Sequence, residues 1–347
     1  MHKTPYWGYL FPSPASELTR TVREFDELGF QGTWATQVVW GPGFPLLSVA
    51  AAASERLQLG TGIAYAFARS PMETALSALD LDILSGGRTV LGLGLVDRPR
   101  NESWFGVRYG RPLAHLREVI EIVRMVTEHG HTGELGIFKG DYYDLDLRGF
   151  ATINPPVRPR IPIVTAAAGD RAIKFAASFC DGVLGHPIWP ARALPERVLP
   201  ALDVQLPLAD RTRSEFDVHY FSYTTVHEDP QVALAGHRGT VAFYASNPNF
   251  RSYWKARGWG DVANAAVELG VGNGQALLDL LPDAMVRDLG IVGTPPEVRA
   301  QVAEAARYAD SITLIPPTHH LINGTIEYNH AEEGRFGGYI ADAVYRV

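Results

Sequence analysis

A glycine-rich turn is the first feature of this sequence that could contact a ligand. Gly60-Thr61-Gly62-Ile63-Ala64 ends a short apolar run that begins at Gln58. Glycine permits backbone conformations, and a close ligand approach, that a side chain would block. Two interpretations are open from these residues alone: a turn that contacts a ligand, and a β-bulge with no ligand. Glycine content by itself favours the second.

A second candidate is the run VTAAAGD at residues 164–170, where a predicted strand ends and a helix begins. Small residues leave the N–H groups of a first helical turn accessible, and the helix dipole favours an anion there. The run therefore fits a phosphate, and it fits an ordinary glycine-containing turn equally well. Because the Asp170 carboxylate would repel an anion, we expect it to cap the helix instead.

Several titratable residues follow predicted strands. Asp97 and Glu102 come after the fourth strand, and either is a candidate general acid or base or a solvated loop charge. His186 precedes Pro187 at another strand end, which suits a polar contact to a ligand or a hydrogen-bonded structural histidine.

Other chemistries lack their usual residue patterns. The eleven histidines form no HExxH motif, and the adjacent His319 and His320 would point to different sides, so no metal site is predicted. Cys180 is the only cysteine and lies in an apolar run, typical of a small buried hydrophobe. No GxSxG elbow or Walker loop occurs, and Gly92-Leu93-Gly94 is only half a dinucleotide fingerprint.

Composition indicates an ordinary globular enzyme that we expect to be cytoplasmic. The net charge of −7 argues against a nucleic-acid groove. No apolar run reaches the roughly 18 residues of a membrane span. The N-terminus lacks the apolar core of a secretory signal.

Apolar runs and helical periodicities alternate along the chain and predict, among other elements, a helix that starts at Pro71 and stops at Gly86, a polar loop at 97–110 and a strand at 217–226. The alternation predicts an α/β fold, a (β/α)8 TIM barrel, over one domain of residues 1–347. Insertions are expected at about 130–159 and 229–289, and the tail after Asn323 is expected to form a last helix or lie across a partner. Chemistry in such a barrel sits at the carboxyl ends of the strands. One mouth should therefore hold the following residues: Gln37, Gly62-Ile63, Asp97, Ala167–Gly169, His186 and Pro316-Pro317.

Residues 59–94, LGTGIAYAFARSPMETALSALDLDILSGGRTVLGLG, resemble the core of the bacterial luciferase-like superfamily of flavin- and coenzyme F420-dependent oxidoreductases. The resemblance includes Gly29-Phe30, Trp34 and Pro45-Leu46. It resumes at residues 162–167, at AASFCDGV ending at Val183, and at Gly293-Thr294-Pro295. The segment GIAYAFARSPM, together with GHP at 185–187, is most similar to the F420-using members.

The resemblance implies site residues. Gly62-Ile63 matches a bulge where family members place a non-prolyl cis peptide behind the central ring of the cofactor, and Asn101 matches an asparagine that contacts that ring. Ala168-Gly169 and Gly185-His186 match segments that bind the cofactor phosphate. The full set of implied cofactor-binding residues is Thr36, Gln37, Gly62, Ile63, Ala64, Asn101, Ala167, Ala168, Gly169, Gly185 and His186.

The end of strand two departs from the family pattern. Many relatives carry an acidic residue there, whereas this chain has Thr36-Gln37, and glutamine cannot act as an acid or base. A protic group must then come from elsewhere, with Asp97 as first choice and His186 and Tyr65 next. Four aromatic residues could form an apolar substrate wall or simply pack: Trp40, Phe44, Trp104 and Tyr142.

The resulting hypothesis is an enzyme that moves a hydride between C5 of coenzyme F420 and a small organic substrate, an alcohol, carbonyl or activated double bond. The alternatives are a reduced-FMN monooxygenase and a non-catalytic flavin-binding protein, because one fold can host all three. Relatives commonly dimerise, so we expect a homodimer through the helices near residues 49–53 and 76–83. Neither a nucleic-acid nor a membrane partner is expected.

Overall fold

The computed structural model describes residues 4–37 and 41–346. The chain divides into two compact units. The first, called here the amino-terminal unit, comprises residues 5–184 and 201–218. The second, the carboxy-terminal unit, comprises residues 185–200 and 219–346 together with residue 4. The single domain expected from the sequence stays a prediction.

The strands have the following bounds: β1 Trp7–Leu10, β2 Gly32–Ala35, β3 Gln58–Thr61, β4 Ala64–Tyr65, β5 Thr89–Gly94, β6 Ile137–Lys139, β7 Asp144–Asp146, β8 Ile163–Ala167, β9 Gly182–Gly185, β10 Asp217–Val226, β11 Ile291–Gly293, β12 Ser311–Ile315, β13 His319–Ile322 and β14 Thr325–Tyr328.

The α-helices have the following bounds: α1 Ala15–Glu27, α2 Phe44–Ala53, α3 Pro71–Ser85, α4 Arg98–Trp104, α5 Pro112–His129, α6 Asp170–Phe179, α7 Leu199–Leu208, α8 Pro230–Ala245, α9 Arg251–Ala256, α10 Gly260–Leu269, α11 Gly274–Leu280, α12 Asp283–Val286, α13 Pro295–Ala305 and α14 His330–Ile340. Within the described ranges, no helix is long and apolar enough to cross a membrane.

The sheet of the amino-terminal unit runs β1-β2-β3-β5-β8, with every neighbouring pair parallel, and β9 follows β8 in the strand order. Helices connect the successive parallel strands, as a right-handed crossover requires. Its strands are almost entirely buried, and Trp34 is fully inaccessible. Because all strands point the same way, their carboxyl ends lie at one edge of this sheet.

Helix α3 and the turn after it hold the β3–β5 crossover in place. Pro71 occupies the first turn, where its missing N–H is not needed, and the Ser70 hydroxyl accepts from the N–H of Glu73 at 3.1 Å. Gly86 ends the helix with φ +65°. The Arg88 guanidinium then donates to the carbonyls of Ser85 and Leu57, each at 2.6 Å, and so ties this turn to β3.

The stretch 130–159, which we expected to be an insertion, contains an antiparallel hairpin, β6–β7. The Glu118 carboxylate of α5 accepts from three successive N–H groups of the hairpin turn, those of Asp141, Tyr142 and Tyr143, at 2.8 to 3.2 Å. Gly140 is required there because a Cβ would lie 2.2 Å from the Glu118 Oε2.

In the carboxy-terminal unit, residues 219–223 of β10 pair with β12 and residues 224–226 pair with β11, both in parallel. The predicted insertion at 229–289 is mostly helical, as α8 to α12 show. The tail does form a last helix, α14, but the hairpin β13–β14 before it was missed. Its signal was present, since Asn323-Gly324 takes positive φ angles at a tight hairpin turn.

One local prediction was wrong. The stretch 97–110, expected to be a loop, contains α4. Asp97 caps this helix and Pro99 lies in its first turn, which are both standard start signals.

Candidate active site

The carboxyl ends of β2 and β3 form a compact arrangement around the peptide bond between Gly62 and Ile63. This bond is cis, which confirms the conformation that the family resemblance implied. The Thr36 hydroxyl donates to the Gly62 carbonyl at 2.5 Å, and the Gln37 N–H donates to the Ile63 carbonyl at 3.0 Å. The Gln37 side-chain oxygen accepts from the Tyr65 N–H at 3.1 Å. Gln37 therefore joins the end of β2 to the turn through two hydrogen bonds, and this role needs no acidic group.

Glycines make this arrangement possible for a reason that differs from the one expected. A Cβ on Gly94 would lie 2.0 Å from the Cδ1 of Ile63, and one on Gly60 would lie 2.2 Å from the Trp34 ring. The space above these glycines is thus filled by side chains of the chain itself. The seat, defined here as Thr36, Gln37 and residues 60–65 with Gly94, is set by backbone packing.

Asn101 has a buried hydrogen-bond acceptor in α4, the helix that follows the carboxyl end of β5. The residue is fully buried in α4, and its side-chain N–H2 donates to the carbonyls of Val96 at 2.9 Å and Asp97 at 3.0 Å. These two bonds fix the orientation of the amide. Its Oδ1 is buried and has no hydrogen-bond partner among the described residues. A buried unsatisfied oxygen is costly, so this atom is suited to accept from an N–H of a ligand.

Asp97 already has two donors from Arg100. Its Oδ1 accepts from the Arg100 N–H at 2.9 Å, and its Oδ2 pairs with the Arg100 guanidinium at 2.8 Å. Glu102 forms an exposed ion pair with Arg98 at 2.9 Å, which fits the solvated loop charge. Arg100 was missed from the sequence, although its position three residues after a capping aspartate was a signal for this pair.

Tyr65 lies in the seat and is buried. Burial raises the pKa of its hydroxyl above the usual range, Arg100 lowers it, and Asp97 raises it again. The hydroxyl consequently keeps its proton at neutral pH. The ring packs edge-on against Phe105 with centroids 6.0 Å apart, so the side chain is held in one place.

The end of β8 differs from expectation at one residue. Ala167 is fully buried, and Gly169 rather than Asp170 is the N-cap of α6, with no side-chain capping bond. Asp170 is exposed in the first turn, so the prediction that it caps the helix was wrong. Glycine can take the extended N-cap conformation as readily as aspartate, and an acid one position later still faces the positive helix end. Ala168 lies between them at this helix start, and phosphate binding here stays a prediction.

Gly185 and His186 belong to the carboxy-terminal unit. A Cβ on Gly185 would lie 2.7 Å from the Trp189 ring. Burial lowers the pKa of His186 to about 4, so its imidazole is neutral at pH 7. Its ring packs against Tyr244 and Phe250, at centroid distances of 5.5 and 5.2 Å. A neutral imidazole can share a hydrogen bond with a ligand but brings no positive charge.

Three of the four aromatic residues considered for a substrate wall lie in the described part of the chain. Trp104 is 58% exposed beneath the Arg100 guanidinium, and Tyr142 stacks on His115 at 4.1 Å. Phe44 is buried at the start of α2, and Trp40 lies outside the described residues. Cys180 is fully buried, which raises the pKa of its thiol to about 12 and confirms it as a small hydrophobe.

A metal centre requires several ligands close together. Among residues 4–37 and 41–346, no group of three or more His, Cys, Asp or Glu side chains could hold a metal ion. His319 instead stacks on Phe243 at 3.8 Å, and burial lowers its pKa to about 4.

Comparison with known proteins found similar proteins that include both F420-dependent and FMN-containing enzymes. A putative coenzyme F420-dependent oxidoreductase of Mycobacterium tuberculosis is 31% identical over 316 residues, covering 86% of this chain and 89% of its own length. The structure of the coenzyme F420 dependent tetrahydromethanopterin reductase from Methanopyrus kandleri superposes with a TM-score of 0.75 at 21% identity, covering 90% of this chain and 93% of that one. The oxygenating constituent of 3,6-diketocamphane monooxygenase of Pseudomonas putida, in complex with FMN, gives 0.65 at 13% identity, covering 99% and 98%.

These similarities confirm the predicted fold class, since the parallel α/β arrangement is that of luciferase-like TIM-barrel proteins. They also confirm that the superfamily predicted from the sequence has F420-dependent oxidoreductases among its members. Residues 4–311 match the family described as luciferase-like monooxygenase. The chain belongs to the luciferase-like monooxygenase family.

Proposed function

We propose that this protein is an oxidoreductase that uses coenzyme F420 to move a hydride to or from a small organic substrate, an alcohol, carbonyl or activated double bond. The observation that carries the proposal is the Asn101 Oδ1, a buried acceptor without a partner in the described chain, beside the seat. An N–H on the edge of a deazaflavin would satisfy it. The F420-dependent relative from Mycobacterium tuberculosis supports the choice of cofactor.

The residues present fit such a group. Gly62, Ile63 and Ala64 would support one face of the ring, and Thr36 and Gln37 hold that backbone through three hydrogen bonds. Ala167, Ala168 and Gly169 at the start of α6 would receive the phosphate of the cofactor. When bound, the deazaflavin accepts or donates the hydride at its C5.

Tyr65 is our choice for the proton donor or acceptor at the substrate oxygen, ahead of Asp97. Its hydroxyl is protonated at neutral pH because burial raises its pKa. The Asp97 carboxylate would first have to leave the Arg100 N–H and guanidinium that hold it. Asp97 and Arg100 then act as positioning residues whose opposite charges tune the tyrosine.

Cofactor binding tests the proposal directly. The purified protein is titrated with F420 and, separately, with FMN, and binding is followed by fluorescence. Saturable F420 binding that weakens by about tenfold in Asn101→Leu is expected, as one buried hydrogen bond predicts. Asn273→Leu is the matched control, because Asn273 is exposed. Saturable FMN binding without F420 binding would overturn the proposal in favour of a reduced-FMN monooxygenase.

Turnover separates an enzyme from a mere flavin-binding protein. With F420 bound, alcohols, ketones and enones are screened for a change in the deazaflavin absorbance. Tyr65→Phe should lower kcat by about 100-fold, the usual contribution of a general acid–base group. It should also remove the alkaline limb of the pH profile. Unchanged turnover in Tyr65→Phe would make Asp97 the first candidate for the proton donor or acceptor. Cofactor binding with no turnover of any substrate would support the non-catalytic alternative.

We also propose that the protein forms a homodimer through α2 and α3. The sequence of α2, FPLLSVAAAA, is apolar on nearly every side, yet Val49 and Ala53 remain half-exposed. On α3, Ile83 is 44% exposed and Leu84 is 61% exposed. A helix that is apolar all round is normally covered on both faces. Sedimentation should give a dimer at micromolar concentration and a monomer in Val49→Glu; a monomeric native protein would contradict this.

A further inference from the structure

Arg69 is a half-buried cation that the site described so far does not use. It lies in the loop between β4 and α3. Its Nη1 atom is buried and has no hydrogen-bond partner among the described residues. Its guanidinium carbon lies 4.9 Å from the centroid of the buried Phe44 ring, which is a cation–π contact. Aromatic stacking orients the group, and it leaves the N–H groups of Nη1 without an acceptor among the described residues.

Other arginines of the same unit use their guanidinium groups in hydrogen bonds or ion pairs. Arg158 makes a bidentate pair with the buried carboxylate of Asp82. Arg88 donates to backbone carbonyls, and Arg56 combines carbonyls with an ion pair to Asp26 at 2.6 Å. In contrast, Arg69 has no carboxylate within ion-pair distance in the described chain. A buried guanidinium nitrogen without a hydrogen-bond partner needs an explanation.

The charge on Arg69 persists in spite of its burial. Burial lowers the pKa of its guanidinium, and the nearby exposed carboxylate of Glu73 raises it. Arginine nevertheless stays protonated in proteins at physiological pH. The loop therefore keeps a permanent positive charge in a partly desolvated place, where an anion interacts more strongly than in open solvent.

Arg69 lies at the sheet edge that carries the seat, which is called the mouth here. Phe44 follows β2 and Arg69 follows β3 and β4, and β2 and β3 are parallel neighbours. Both residues therefore lie at the sheet edge that carries Gly62 and Ile63. The N-terminus of α2, next to Phe44, has no side-chain cap and no acidic residue in its first turn. Its positive dipole end adds to the same local preference for an anion.

We propose that Arg69, oriented by Phe44, binds an oxyanion, a carboxylate or phosphate, of a ligand held at this mouth. The assignment rests on the proposed function in that it gives one anionic group to the substrate or the cofactor of that site. A carboxylate matches the planar fork of the guanidinium with two parallel hydrogen bonds. The substrate class would then be organic acids or phosphate esters, or the anion would be a group of the cofactor tail other than the phosphate assigned to the start of α6.

Isothermal titration of the native protein with benzoate, and with benzamide as a neutral probe of the same shape, tests the charge requirement. Benzoate should bind and benzamide should bind at least tenfold more weakly. In Arg69→Gln, benzoate affinity should fall about tenfold to the level of benzamide, and Arg69→Lys should recover part of it. Arg307→Gln is the control, because Arg307 is 70% exposed and pairs with Glu304. It should change neither affinity.

The source of the anion is distinguished with two cofactor forms, F420 and a deazaflavin riboside without the phosphate tail. If Arg69→Gln weakens F420 but not the riboside, Arg69 binds the tail of the cofactor. If both cofactors bind unchanged while benzoate is lost, it binds the substrate. Both results support the oxyanion site.

Thermal stability separates this role from a structural one. Since Arg69 makes no hydrogen bond within the described chain, Arg69→Gln should melt within about 2 °C of the native protein. Benzoate, inorganic phosphate and F420 affinities that all stay within twofold in a folded Arg69→Gln would overturn the proposal. Failure of the native protein to bind any deazaflavin would instead overturn the proposed function, and the benzoate titration would still test Arg69.

Discussion

The seat around Gly62 and Ile63 and the inserted hairpin β6–β7 are held to the same unit by opposite means. In the seat, backbone groups bond to a hydroxyl and an amide, and glycines admit the side chain of Ile63. The hairpin depends on one carboxylate, that of Glu118, which accepts from three N–H groups.

The difference lies in what each region tolerates. The seat has no space for added side-chain atoms at Gly60 or Gly94, so larger residues there should disturb it, whereas changes of charge should not. The hairpin turn is held by the Glu118 carboxylate, so its stability should be sensitive to the loss of that negative charge. A third segment, around His186, should respond to acid, because its imidazole is neutral in the folded protein at pH 7. These expectations can be tested one at a time.

The largest effect is expected in the seat. In Gly94→Val, the new side chain would collide with Ile63, whose Cδ1 lies 2.0 Å from the position of a Cβ. Overpacking of this kind costs about 3 kcal/mol of folding free energy. Because the strain is relieved by moving Ile63 away from Gly94, we expect cofactor affinity to fall by roughly 100-fold, a binding loss of about 3 kcal/mol. Fluorescence titration with F420 measures it, and circular dichroism verifies the fold. Gly272→Ala, where a Cβ meets nothing within 4 Å, is the control. Equal affinities of Gly94→Val and native protein would show that the seat is not set by packing.

A smaller effect is expected at the hairpin. Glu118→Gln keeps the shape of the side chain but replaces charge-assisted hydrogen bonds with neutral ones and presents an N–H2 to backbone donors. The free energy of unfolding should fall by about 2 kcal/mol. Urea denaturation measures it, with Glu121→Gln as the control, because Glu121 forms an exposed pair with Arg117 worth under about 1 kcal/mol. Cofactor affinity should hardly change, and a larger loss of affinity than of stability would break the contrast between the two regions.

The smallest effect concerns acid. The pKa of His186 is about 4 in the folded protein and about 6.5 when unfolded, so the unfolded chain binds the extra proton first. The stability that His186 contributes is complete above pH 6.5 and is lost as pH falls toward 4. In His186→Gln, the decrease in unfolding free energy between pH 7 and 5.5 should be smaller than in the native protein by about 1 kcal/mol. Identical slopes would mean that His186 has the same pKa in the folded and the unfolded protein.

Local patterns predicted the long elements well. The spacing of apolar residues after Pro71, with a proline start and a glycine stop, predicted α3, and the aromatic and β-branched run at 217–226 predicted β10 with its observed bounds. Patterns of this kind are local, since propensity and periodicity act over neighbouring residues. The helix α4 and the hairpin β13–β14 were missed although each carried a capping or turn signal, because short elements give little periodicity to detect.

In the candidate site, what the sequence predicted and what only the tertiary structure decided can be separated residue by residue. The amino-acid sequence alone placed the candidate site at Gly62-Ile63 and Asn101, from residue types in a family-like order, and the cis bond between Gly62 and Ile63 is the part of that prediction that is confirmed. The tertiary structure decided the rest: that Gly94 makes room for Ile63, that Arg100 holds Asp97, and that Asn101 keeps one oxygen without a partner. Hydrogen bonds, charge pairs and collisions depend on distances of a few tenths of an ångström between residues far apart in sequence. Such distances exist only after the sheet has brought its strand ends to one edge.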